Sequence, residues 1–320
     1  MKNILIIGGG AMGSAFTIPS LENKNNVTIT EPYNKRFIKD LSSKKKFHSA
    51  LKIKLPKKLK FRKFSRNLLG ENFDLIVIAL SLPGVDFIGN ELKTLKIKTP
   101  ILVLTKGLKF EKKKNKIFTI SEQLKKKYNL NNISVLKGPC LAKELARKNQ
   151  TTVIIANKNI SIAKAIGRKI STKYYLIEYS KDVVGVEVCS AIKNIYSMVI
   201  GAGQSLNSTS NLFQKSVLEM RYLNKYFKGK DETALGLAGV GDLYVSAAGG
   251  RNSKMGSFLG KGFTFNTAKK KFMRKETVEG EQLSREIAPF ILKKINKKKI
   301  PLMINLIKTI KENKKLKIKV

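Results

Sequence analysis

A handful of residues in this chain combine reactive type with telling position. Gly8, Gly10 and Gly13 stand in G-x-G-x-x-G spacing directly after the apolar run of residues 4–7, with a helical pattern behind them. A buried strand turning tightly into a helix start points backbone N–H groups at empty space. The helix dipole makes that space attractive to a pyrophosphate. Lys106 is the one charge in a tight Thr105-Lys106-Gly107 turn, suited to a substrate carbonyl or phosphate, unless it is simply one more surface lysine. Lys193 lies on a polar stripe with Glu187, Ser190, Asn194 and Ser197, along an otherwise apolar helix over 183–203. Desolvation there would lower its pKa and make it a proton donor or acceptor near neutral pH. A snorkelling lysine at a domain boundary is the plainer reading. Asp242 closes the glycine-rich run 236–242 between apolar residues, so it should pair with a buried cation. Arg251, between Gly250 and Asn252, has the fork that grips phosphate; a glycine-rich surface loop is its alternative.

These residues need elements to hold them. Residues 27–31 read as a second strand whose tip carries Glu31, placed to accept from an adenosine ribose 2′-OH. That leans toward NAD over NADP. Glu31 could equally cap the helix after Pro32, and Lys35 and Arg36 nearby could accommodate a phosphate. Further strand-like runs cover 73–80, 101–104, 133–136, 151–156 and 174–179, with helices such as 121–128 and 161–171 among them. The alternation predicts a doubly wound, mostly parallel sheet covered on both faces. Ligands then bind beyond the C-terminal strand ends, which the loops 81–84, 105–107 and 138–140 follow. Pro19 should end or kink the first helix. From about residue 181 helical segments take over, at 183–203, 211–226, 279–294 and 302–312. The fold class is thus an α/β N-terminal doubly wound parallel sheet over 1–180, followed by an all-α domain over 181–320.

Composition narrows the function. The formal charge is +42, but only nine of the 64 basic residues are arginine and the lysines are scattered. A nucleic-acid groove would show arginine and interleaved aromatics, so no specific nucleic-acid partner is expected, while the charge should draw in anionic ligands. With Cys140, Cys189 and His48 as the entire Cys and His content, no metal site or Cys–His nucleophile is expected, and His48 reads as a surface or pocket-rim residue. The apolar stretch near 183–202 carries Glu187, Lys193 and Asn194, which argues for a buried helix rather than membrane insertion. No signal peptide is visible, and reduced cysteines fit a cytoplasmic location.

The ordered motifs IIGGGAMGSA, LTKGL, KGPCLAKELA, VEVCSAIKN, GLAGVGDL, GGRN and TVEGE resemble the NAD(P)-dependent glycerol-3-phosphate dehydrogenase family across nearly the whole chain. The resemblance implies a Rossmann-type domain over 1–180 and a helical substrate domain over 181–320. It implies reversible reduction of dihydroxyacetone phosphate to sn-glycerol 3-phosphate with NAD or NADP, feeding glycerophospholipid synthesis. Carried over by motif, Lys193, Lys106 and Asp242 are catalytic: Lys193 exchanges the proton and Asp242 orients it. Lys106, Gly138, Cys140, Asp242, Gly250, Arg251 and Asn252 bind substrate. Gly8, Gly10, Ala11, Met12, Gly13, Glu31, Lys106, Ala142, Arg251, Thr277 and Glu279 line the cofactor site. A homodimer is one assembly open to such a protein. The chain departs from the family pattern at Cys140 and Gly250, where Ser or Thr is usual, in the shortened segment 204–214, and at Gln214-Lys215-Ser216. Alternatives are another two-domain hydroxyacid or ketopantoate-type dehydrogenase, a non-catalytic NAD(H)-binding sensor, and a basic nucleic-acid binder.

Overall fold

The computed structural model describes residues 2–318. They form two units: residues up to 106 together with 120–183, and residues 107–119 together with those from 184 onward. In chain order the strands are β1 (Asn3–Ile7), β2 (Asn26–Thr30), a small hairpin of β3 (Phe47–His48) and β4 (Ile53–Lys54), β5 (Lys60–Phe61), β6 (Leu75–Ile78), β7 (Ile101–Val103), a second hairpin of β8 (Leu108–Glu111) and β9 (Lys116–Thr119), β10 (Ile133–Lys137), β11 (Thr151–Ala156) and β12 (Tyr175–Ser180).

The first unit is built on an eight-stranded sheet ordered β12-β11-β10-β7-β6-β1-β2-β5. All neighbours are parallel except β10 and β11. Ile4–Ile7, Leu75–Ile78 and Ile101–Val103 are fully buried, as central parallel strands must be when helices cover both faces. The helices are α1 (Ala11–Glu22), α2 (Lys35–Ser42), α3 (Arg66–Leu69), α4 (Leu82–Thr94), α5 (Ile120–Tyr128), α6 (Ala142–Ala146) and α7 (Ile160–Ile170). β1 pairs with both β2 and β6, and the strand order reverses between β1 and β6. The crevice beyond Ile7 and Ile78 is therefore the topological switch point.

Two local expectations fail here. α1 runs through Pro19 to Glu22, because residues 13–20 are all buried and α1 packs on α6 and α7. That burial outweighs the roughly 3 kcal/mol cost of an interior proline. Residues 82–84 are not a loop: α4 begins at Leu82, with Ser81 as N-cap and proline in the first turn, where its missing N–H costs nothing.

The second unit comprises the β8–β9 hairpin and α8 (Val183–Gly201), α9 (Leu206–Tyr226), α10 (Asp231–Leu235), α11 (Asp242–Ala247), α12 (Arg251–Gly260), α13 (Phe265–Phe272), α14 (Glu279–Lys294) and α15 (Pro301–Glu312). α8 is long and apolar enough to cross a membrane, yet its apolar window is 89% buried inside the protein. The division at residue 180 thus needs correcting. The chain changes unit at 183, and the hairpin of 107–119 also belongs to the second unit, which is not purely helical. Leu108 and Ile117 share a core with Ile287 and Ile291, and Phe110 N–H donates to Glu286 Oε1 at 2.9 Å. α9 starts at Leu206, five residues earlier than its apolar pattern, because Ser205 and Ser208 form a capping box.

Candidate functional site

In the first unit the glycine loop joins β1 to α1. Gly8 has φ +121°, and a β-carbon at Gly13 would fall 1.9 Å from the Gly8 carbonyl oxygen. Only glycine permits that turn and that approach. Gly10 is the N-cap of α1 and offers no side-chain cap, so the first-turn N–H groups around Ala11 and Met12 keep no side-chain acceptor. A pyrophosphate fits such a cradle in both shape and charge.

Glu31 lies at the β2 tip, as its position suggests, but its carboxylate is buried and turned inward. Oε2 accepts Gly9 N–H at 2.7 Å, and Oε1 accepts the N–H groups of Tyr33 and Asn34 at 2.9 and 3.1 Å. Three backbone donors fill three of the roughly four acceptor positions of the carboxylate proposed for a ribose. The capping alternative needs revision: α2 is capped by the Asn34 side chain, which accepts from Arg36 and Phe37. Arg36 and Lys35 stay exposed beside the tip.

His48 is not at the surface. It is fully buried, its ring stacked on Phe37 with centroids 5.2 Å apart, because both nitrogens find backbone partners in the first unit.

At the ends of β7 and β10 the Thr105–Lys106 turn is tied down from two sides. Thr105 Oγ1 donates to Leu80 O at 2.7 Å, and Lys137 Nζ donates to Val103 O and Thr105 O, both at 2.9 Å. Lys106 is half-buried there. Gly138 has φ +120°, Cys140 is a half-buried thiol outside any disulfide, and Ala142 opens α6 against α1. Lys137 is buried and was missed in the sequence, where it is one basic residue among many.

In the second unit Lys193 and Asp242 meet. Lys193 Nζ lies 2.8 Å from Asp242 Oδ1, with side chains 8% and 4% exposed, and it also donates to Ser246 Oγ. A π-helical turn at Leu237–Gly241 leads into α11 and delivers Asp242 at its start. π-Turns of this kind often mark functional sites. Ser246 follows Asp242 by one helical turn and was legible in principle from that i, i+4 spacing.

Asn194, next to Lys193, belongs to a second cluster. Asn252 Nδ2 donates to Asn194 Oδ1 at 3.0 Å, and Gly280 N–H donates to Asn252 Oδ1 at 2.9 Å. A β-carbon at Gly280 would fall 2.4 Å from Asn194 O, which explains the glycine of the TVEGE run. Arg251 Nη2 pairs with Glu279 Oε1 at 3.1 Å; both side chains are about half exposed, and Thr277 is exposed as well. Arg251 and Asn252 are not in a loop but form the first turn of α12, whose N-cap Gly250 supplies no side-chain cap.

Comparison with known proteins shows the family of the chain. Residues 3–163 match the family model of the NAD-dependent glycerol-3-phosphate dehydrogenase N-terminus, and residues 182–320 that of its C-terminus. A glycerol-3-phosphate dehydrogenase [NAD(P)+] of Rickettsia typhi is 35% identical over 308 residues, covering 91% of this chain and 92% of that one. An NADP(+)-dependent glycerol-3-phosphate dehydrogenase of Archaeoglobus fulgidus is 30% identical over 286 residues, covering 85% and 84%. The crystal structure of glycerol-3-phosphate dehydrogenase from Coxiella burnetii superposes with a TM-score of 0.85 over 98% of this chain and 96% of that one, at 23% identity, and so speaks for the fold. With both halves matched and two relatives at this level, the chain belongs to the NAD-dependent glycerol-3-phosphate dehydrogenase family.

Proposed function

We propose that the protein reversibly reduces dihydroxyacetone phosphate to sn-glycerol 3-phosphate with NADH or NADPH, in the cytoplasm, and so feeds glycerophospholipid synthesis. The observation that carries this reading is the buried Lys193–Asp242 pair beside the Asn194–Asn252–Arg251 cluster. The nicotinamide cofactor, when bound, supplies or accepts the hydride. Lys193 Nζ delivers a proton to the forming alkoxide in reduction and takes it back in oxidation. The Asp242 carboxylate holds the ammonium, and Ser246 fixes its direction. In a site this dry, a fixed positive charge stabilises a developing oxyanion far better than it would in water.

Arg251 and the start of α12 suit the substrate phosphate, since the guanidinium fork and uncapped N–H groups both favour an oxyanion. Asn252 and Gly250 belong to the same turn. Lys106, Gly138 and Cys140 are read as substrate-binding residues by the family resemblance, with Lys137 fixing the turn that carries Lys106. Within the first unit, Gly8, Gly10, Ala11, Met12, Gly13 and Ala142 serve the nucleotide. Glu31 supports the glycine loop through the Gly9 N–H, and NAD and NADP both stay within this reading.

The test is direct. Purified protein with dihydroxyacetone phosphate should oxidise NADH or NADPH, followed at the nicotinamide absorbance. Lys193→Ala should lower kcat by at least about a hundredfold, the usual scale for a general acid. Measurable NADH binding without any turnover would replace this reading with a nucleotide sensor.

A further inference from the structure

We propose that His48 is a positioning residue for the nucleotide loop, setting the direction of the peptide that faces the pyrophosphate. The inference rests on the reading that the glycine loop takes NAD(P). His48 Nδ1 accepts Leu51 N–H at 3.2 Å, so the ring hydrogen sits on Nε2, which donates to Gly9 O at 3.1 Å. Packing alone would be served by a phenylalanine; both ring nitrogens are used instead.

The pedestal under the ring is stiff. Phe37 stacks on it with an interplanar angle of 20°. The following residue is pinned to α2: Ser49 N–H and Oγ–H donate to Asp40 Oδ2 at 3.0 and 2.7 Å, and Arg36 Nε donates to Ser49 Oγ at 2.8 Å. Gly9 is thereby clamped at both ends. Its N–H is held by Glu31, and its carbonyl by His48 and by Ser14 Oγ–H at 3.0 Å. The Gly9–Gly10 peptide is planar and trans, so holding the carbonyl toward His48 turns the Gly10 N–H the opposite way. A glycine here has no side chain to impose that choice, and an unclamped peptide would be free to flip.

His48 is the only histidine in the chain, so histidine-selective 15N labelling of the full-length protein yields one ring spin system that needs no assignment. The expected spectrum is the Nε2–H tautomer with a slowly exchanging ring proton, whose resonances move on saturation with NADH and not with dihydroxyacetone phosphate alone. In parallel, NADH affinity is measured by fluorescence titration. His48→Phe should raise the Kd by about tenfold, the scale of one lost hydrogen bond. His48→Gln, whose amide N–H can replace Nε2–H, should recover most of it. Neither variant should change the KM for dihydroxyacetone phosphate. Ring resonances unmoved by saturating NADH, or a folded His48→Phe that binds NADH like wild type, would overturn the proposal. Should His48→Phe not fold, the wild-type spectrum decides. A wild-type protein that binds neither NADH nor NADPH would instead sink the nucleotide reading, and this inference with it.

Discussion

Asp242→Asn isolates the charge that holds the proposed proton donor. Lys193 Nζ and Asp242 Oδ1 lie 2.8 Å apart in surroundings that leave both side chains under a tenth exposed. At an effective dielectric of about 20, unit charges at that distance attract by about 6 kcal/mol. Desolvation of both groups offsets part of this, and stranding one partner of a buried pair costs about 3–5 kcal/mol. The second unit has about 150 residues, a size at which each kcal/mol moves a melting midpoint by about 2–4 °C. The variant should therefore melt about 10 °C below wild type in calorimetry. If the lysine sheds its proton to escape the penalty, less stability is lost, and the deficit moves into turnover: kcat near neutral pH falls by about a hundredfold. The double variant Lys193→Met/Asp242→Asn removes both charges and should be more stable than Asp242→Asn alone, with a coupling energy of about 2–5 kcal/mol in the cycle. An Asp242→Asn protein with unchanged melting and unchanged kcat, or a cycle that is simply additive, would refute the reasoning.

Three further outcomes are expected. Arg251→Ala should raise the KM for dihydroxyacetone phosphate with little change in kcat, if its phosphate contact is equally strong in ground and transition states; steady-state kinetics at saturating NADH measure this. Gly13→Ala should weaken NADH binding in a titration, since the new methyl meets the Gly8 carbonyl oxygen at 1.9 Å and pushes the loop open; wild-type affinity would contradict the tightness of that turn. Glu219 is buried under Leu302 N–H, Met303 N–H and Tyr196 O–H, and burial pushes its carboxyl up to about 7 although those donors pull it down. Its neutral form is the one favoured by folding. The resulting stability is full below the unfolded carboxyl's value and is lost as pH rises through about 7, on the order of 3 kcal/mol. Urea unfolding at pH 5 and pH 8 should show Glu219→Gln gaining on wild type at the higher pH, whereas parallel curves would assign the pH dependence elsewhere.

What could be read from the chain and what could not divide along a physical line. β1, the glycine loop and the start of α1 follow from the first eighteen or so residues, and α14 coincides with its apolar pattern over 279–294, since periodicity and capping are local. The pairing of Lys193 with Asp242 was inferable because an acid among apolar residues and a lysine on a buried helix each need a counterpart. His48 was misplaced because two of its partners are a glycine carbonyl 39 residues earlier and the Phe37 ring on α2. Glu31 was assigned by position alone, and nothing in its neighbours announces that three N–H groups will claim it. The antiparallel step at β11 and the tie from Lys137 to Thr105 are likewise long-range facts.

The β8–β9 hairpin carries a consequence for biosynthesis. Leu108 and Ile117 find their apolar company on α14, about 175 residues further along the chain. At about 5–20 residues per second, a ribosome needs on the order of ten seconds or more to make that helix. During that interval the nascent hairpin is a greasy flap with two exposed strand edges, a species that chaperones should recognise. A fragment ending at residue 180 would keep that flap permanently uncovered, and should be recovered as an aggregate rather than as an independent nucleotide-binding half.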